Sequence, residues 1–127
     1  MDHSWLDAYL LNKPGVTRDF KVEWGWHRYM VGGKLFAALL HPSGRYDPLY
    51  AEKDLLTLKC EPELARLLRE QYPEVLPGFY TDKRTWNSVD LGGSLPEGIL
   101  REMIDDSYRL IFAKLTKKLQ REILNEA

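Results

Sequence analysis

Apolar side chains recur along this chain in two rhythms, one of three to four residues and one of two. The first rhythm opens the sequence. Trp5, Ala8, Tyr9 and Leu11 form one stripe of a short helix from Ser4, a suitable cap, to about Asn12, and Pro14-Gly15 ends it. Phe20, Val22 and Trp24 then alternate with Asp19, Lys21 and Glu23, which predicts a half-buried strand with Val22 facing the core. Gly25 allows a turn into a second strand, His27 to Val31, and Gly32-Gly33 marks a hairpin into Lys34 to His41. That third run is apolar nearly throughout and reads as a central strand.

From His41 to Lys53 the rhythm stops. Pro42, Gly44 and Pro48 stand among Arg45, Tyr46 and Tyr50, as in a long binding loop. Leu56 and Leu58 resume the alternation, with Thr57 and Lys59 expected on the outward face. Pro62 suits the first turn of a helix whose buried stripe would be Leu64, Leu67, Leu68 and Tyr72. Pro73 to Lys83 reads as a second irregular stretch, and Trp86 to Leu91 as the last strand. Pro96 opens a long helix with a wide apolar face of Ile99, Leu100, Met103, Ile104, Tyr108, Ile111, Phe112 and Leu115. A final helix is expected from Lys117 to Asn125. Strands and helices do not alternate as parallel βαβ units would. The expectation is a single two-layer α+β domain over residues 1–127: an antiparallel sheet with helices packed on one face, burying Val22, Leu39, Leu58, Ile104, Tyr108 and Ile111.

Composition changes this picture little. At 127 residues the chain can build one core without staples, and its 44% apolar and 29% charged residues are ordinary for a globular domain. It has no long apolar run, and Met1 to Leu11 lacks the features of a signal peptide. Its one cysteine, Cys60, has no internal partner. The expectation is a cytoplasmic monomer. The three histidines, His3, His27 and His41, are dispersed, and neither metal-ligand spacing nor a nucleophile motif occurs, so no metal, cofactor or catalytic residue is expected. Asp105 and Asp106 point about 100° apart on a helix and cannot face each other as an acid/base pair. A net charge of −1 weighs against a strong non-specific binder of nucleic acid, yet Arg109, Lys114, Lys117, Lys118 and Arg121 follow one another with no acid between them.

One stretch invites chemistry. Trp86 follows Lys83 and Arg84, and strand alternation puts it on the face away from the helices, as it puts Lys59 and Thr57 on the outward face of their own strand. The alternative is an indole folded back over the sheet edge or turned inward by a bulge. An indole beside cations suits base stacking and phosphate pairing.

Several segments resemble the MmcQ/YjbR family. Leu58-Lys59-Cys60-Glu61-Pro62-Glu63-Leu64-Ala65 is similar to the family's strand-to-helix junction, and Tyr72-Pro73 through Pro77-Gly78, Lys83-Arg84 and Trp86-Asn87-Ser88-Val89 to its second loop and last strand. Pro14-Gly15-Val16, Val31 to Ala37, and Asp106-Ser107-Tyr108 through Ala113-Lys114-Leu115 fit as well. Tyr80, Asp82 and Thr85 depart from the pattern, where the family commonly has histidine or asparagine. The resemblance implies a frataxin-like or secretion-chaperone-like "double wing" fold and non-catalytic DNA binding. Lys83, Arg84, Trp86 and Asn87 would make the contacts, helped by Lys59 and by Arg45 in the long loop. The alternatives are a peptide- or protein-binding adaptor that uses the open sheet face and a binder of small molecules.

Overall fold

The computed structural model describes residues 3–126; Met1, Asp2 and Ala127 of the expected domain lie outside the described residues. The elements run α1 (Leu6–Leu11), β1 (Val16–Lys21), β2 (Trp26–Val31), β3 (Lys34–Leu40), β4 (Leu55–Lys59), α2 (Pro62–Gln71), β5 (Val75–Pro77), β6 (Trp86–Asp90), α3 (Glu97–Phe112) and α4 (Lys117–Glu126). The six strands form one antiparallel sheet in the order β1-β2-β3-β4-β6-β5. This is the α+β architecture that the mixed rhythms predict. Among the described residues, no helix is long and apolar enough to cross a membrane.

All four helices contribute to a core on one face of the sheet. Leu6 and Leu10 of α1, Ala65 and Leu68 of α2, and Leu100, Met103, Ile104 and Ile111 of α3 pack with Ile123 of α4 against Tyr29, Val31, Phe36, Leu56, Leu58 and Val89. Leu58, Ile104 and Ile111 are buried as expected, while Leu39 and Tyr108 are half-buried. Ser107 ties α3 to the sheet. Its hydroxyl donates to the Phe36 carbonyl (2.6 Å) and accepts from the Lys59 backbone N–H (2.9 Å). Phe36 lies at the irregularity between β2 and β3, between the paired residues Leu35 and Ala37, so Ser107 serves a carbonyl at a break in the ladder.

The opposite face is not open. Two loops fold over it, and Tyr50 of the 41–53 loop and Phe79 of the 78–85 loop bury Trp26, Ala38, Leu40, Leu55 and Leu76 in a second, smaller cluster. Thr57, expected to face solvent, is completely buried here. Its hydroxyl meets Ser88 Oγ at 2.7 Å, and Ser88 Oγ accepts from the Phe79 backbone N–H at 2.9 Å.

Other local readings are corrected by packing. The strand begins at Val16, and residues 22–25 form a turn closed by the Gly25 N–H on the Lys21 carbonyl, so the Phe20-Val22-Trp24 alternation does not continue a strand. Val22 is 75% exposed, and Phe20 and Trp24 are also exposed. The buried residues of α2 are Ala65 and Leu68, with Tyr72 half-buried at its C-cap. Leu64 and Leu67 point away, because the register set by Pro62 turns the small Ala65 toward β6. Trp5, not Ser4, occupies the N-cap of α1, with no side-chain cap. The stretch read as irregular from Pro73 contains the short edge strand β5, whose proline sits at the strand end where a missing N–H is tolerated.

Candidate functional site

The cations and aromatics singled out in the sequence fall in three different environments. Asn87 faces the helices. It is fully buried, its Oδ1 accepts from Arg69 Nη1 at 2.7 Å, and its Nδ2 donates to the Ala65 carbonyl. It therefore cannot touch a polymer on the surface. Its work is to pin α2 to β6, while the same Arg69 nitrogen donates to the Lys83 carbonyl.

Lys83 is held by its own loop. Its ammonium donates to the Gly78 carbonyl at 2.7 Å and lies 5.8 Å from the centre of the Tyr50 ring. Arg84 is exposed, with 84% of its side chain in solvent, and it pairs with Asp82 at 3.2 Å.

Trp86 and Lys59 do meet. They are directly opposite in the β4–β6 ladder, Trp86 is half-buried, and the Lys59 ammonium stands 5.5 Å from the indole centre. Lys114, from the acid-free basic run, comes alongside. Burial first, and then the neighbouring Lys114 ammonium, hold the Lys59 pKa below the ordinary lysine value. Neither lysine has a carboxylate ion-pair partner among the described residues. Two neighbouring ammonium groups without an ion-paired carboxylate, one of them over an aromatic ring, make a place for an anion, since a bound anion relieves their repulsion. The basic run signalled Lys114 in the sequence, but its proximity to Lys59 needs the crossing of α3 over β4.

Arg45 lies elsewhere, in a cleft of about 700 Å³ lined by residues from the β1–β2 turn, β3 and the two loops. Trp24, Trp26, Tyr46 and Tyr80 give it aromatic walls. Tyr46 meets Phe79 and Tyr80 edge-on, at 5.4 and 5.8 Å between ring centres, and Trp24 meets Trp26 at 5.3 Å. The inward reading of Trp24 concealed this cleft. A Trp-Gly-Trp turn across Gly25, which has φ +70°, is the one sequence signal for it.

His41 borders this cleft. Its Nδ1 lies 2.8 Å from Asp54 and its Nε2 3.2 Å from Glu52. Hydrogen bonds to Asp54 and then to Glu52 raise its pKa above the ordinary histidine value. No group of histidine, cysteine and carboxylate side chains among the described residues has a geometry that could hold a metal. Cys60 is buried, and that burial pushes its thiol up to about 11.

A six-stranded antiparallel sheet, four helices on one face and two loops folded over the other define a small α+β domain with two candidate ligand sites. The YjbR family model matches residues 11–110, and the chain belongs to that family. It is 33% identical to Escherichia coli YjbR over 109 residues, 86% of each chain, and 39% identical to Bacillus subtilis YyaQ over 61 residues, 48% of this chain and 51% of that one. The crystal structure of a Deinococcus radiodurans protein with a DUF419 domain superposes with a TM-score of 0.77 at 27% identity, covering 93% of this chain and 84% of that one. A Pseudomonas syringae protein shares the fold, with a TM-score of 0.74 at 23% identity over 87% of this chain and 98% of that one.

Proposed function

We propose that this protein binds DNA without catalysing a reaction on it, through Lys59, Lys114 and Trp86, with Arg84 at the margin. The observation that supports this reading is the pair of lysines, one of them over a half-buried indole, with no carboxylate in ion-pair contact; Asp82, paired with Arg84, acts on Lys59 only at longer range. Phosphate oxygens would replace the missing counter-charge, and an unstacked base would lie against Trp86. Single-stranded or distorted DNA is favoured, because only there is a base face free. With few contacts and a net charge of −1, binding is modest and sensitive to salt.

Fluorescence titration with single-stranded and duplex oligonucleotides at low salt tests this. Lys59→Ala and Lys114→Ala should each lower affinity for all sequences and reduce the salt slope by about one. Trp86→Ala should cost about 1–3 kcal/mol with the slope unchanged, because stacking releases no counterion. If neither strand form binds at concentrations of about tens of micromolar, the DNA reading fails. A peptide-binding adaptor then moves ahead, but not by way of an open sheet face. The exposed Phe20 and Val22 on and beside edge strand β1 favour it, since an edge offers backbone groups to an added strand.

A further inference from the structure

We infer that the cleft between the β1–β2 turn and the 41–46 and 78–81 loops is a second binding site, for a small planar apolar molecule that carries one anionic group. This goes beyond the DNA reading and uses none of Lys59, Lys114 or Trp86. A volume of about 700 Å³ falls among those of pockets for drug-sized ligands, and the walls have the composition such pockets use, aromatic rings with few polar groups.

Charge decides the class of ligand. Each charged group at the cleft except one is answered within the protein. Glu23 pairs with Lys21 at 3.5 Å, and His41 sits between Asp54 and Glu52. The cations near Trp24 are likewise satisfied, Lys21 by Glu23 and Arg28 by both oxygens of Asp19. The exception is Arg45. Its guanidinium is exposed, lies 5.1 Å from the Tyr46 ring centre, bonds the Tyr46 hydroxyl at 3.2 Å, and has no carboxylate partner among the described residues. A guanidinium placed against an aromatic ring can hold a carboxylate or sulfonate at the cleft mouth while the ligand's rings enter between Trp24, Trp26 and Tyr80. A polyanion does not fit, because Glu23, Glu52 and Asp54 lie at or behind the rim.

Backbone strain marks the same place. Tyr80 and Glu52 are the non-glycine residues with positive φ among those described, at +52° and +61°. Tyr80 carries one wall of the cleft and Glu52 holds its histidine. Conformations of this kind are strained and concentrate at ligand clamps. Tyr80 is also 71% exposed, so its own burial does not offset the strain.

The probes are 1-anilinonaphthalene-8-sulfonate and N-phenyl-1-naphthylamine, which share their rings and differ by the sulfonate. Titration of the full chain should show one saturable site for both by probe and tryptophan fluorescence. Arg45→Ala should weaken the sulfonate probe about tenfold or more and leave the neutral one within about twofold. Trp24→Ala and Tyr80→Ala should weaken both probes, and Lys59→Ala neither. Circular dichroism and a thermal melt establish that each variant is folded. The inference is overturned if neither probe saturates, if Arg45→Ala weakens both alike or neither, or if Leu64→Ala, on the exposed face of α2, has the larger effect.

Discussion

Replacing Ser107 by alanine tests how the helix layer is fixed to the sheet. The serine hydroxyl is fully buried and makes two bonds, donating to the Phe36 carbonyl and accepting from the Lys59 N–H. Alanine removes one oxygen and leaves both backbone groups without that partner. A buried unsatisfied polar group costs roughly 1–3 kcal/mol. The Phe36 carbonyl belongs to a fully buried residue, whereas the Lys59 N–H is only partly shielded and stands at the low end. The sum is about 2–4 kcal/mol, a large share of the ~5–15 kcal/mol that holds a domain folded. Equilibrium urea unfolding followed by the fluorescence of the four tryptophans measures it. The midpoint should fall while the slope stays constant. Ser107→Cys separates hydrogen bonding from packing, because it restores volume without a strong partner, and it should recover little of the loss. A cost below about 0.5 kcal/mol for alanine, or full recovery with cysteine, would refute the reasoning.

Ile104→Ala should cost about 2–5 kcal/mol by opening a cavity between α3 and the sheet, and a thermal melt with unchanged stability would remove that helix from the core. Asp54 and then Glu52 raise the His41 pKa above the ordinary histidine value of about 6.5, so its contribution to stability is fully present below that ordinary value and is lost as pH rises through the folded pKa. Stability of wild type minus His41→Gln, measured between pH 5 and 9, should therefore fall with rising pH; a difference independent of pH would mean that the two carboxylates do not hold the ring.

The hydrophobic rhythm identified most elements because burial is what selects it. Where it misled, the cause was a second layer that a periodicity cannot show. Thr57 and Lys59 alternate with Leu56 and Leu58 as outward residues should, yet Thr57 is fully buried against Ser88, to which the Phe79 loop is bonded, while Lys59 remains half-buried. The Phe20-Val22-Trp24 alternation fails for the opposite reason: three apolar side chains are spent on a surface. The outward facing of Trp86 and of Lys59 was legible because alternation sets the face, whereas their pairing depends on β4 and β6 being neighbours, which alternation does not show. Asn87 was misassigned because the same register turns it inward, where only the distance to Arg69 reveals its role. Lys114 and the Arg45 cleft depend on contacts between segments far apart in sequence.

A row of aromatic rings runs from Lys83 to the cleft. Lys83 lies on Tyr50, Tyr50 meets Phe79 at 5.0 Å, and Phe79 meets Tyr46 and Tyr80 at the cleft. The loop that leads into Trp86 is thus the loop that supplies a wall of the cleft; the Phe79 N–H on Ser88 Oγ holds it to the sheet, and Lys83 on Gly78 closes it on itself. A ligand that ordered Tyr80 would act on the same loop that positions Trp86, whereas a ligand at Lys59 and Lys114 would reach it through Trp86 alone. Coupling of this kind is reciprocal: if filling the cleft changes oligonucleotide affinity, the oligonucleotide must change cleft affinity by the same factor. Titrating each ligand with the other at saturation measures that factor. A factor of one in both directions would show that the aromatic row is packing and that the sites are independent.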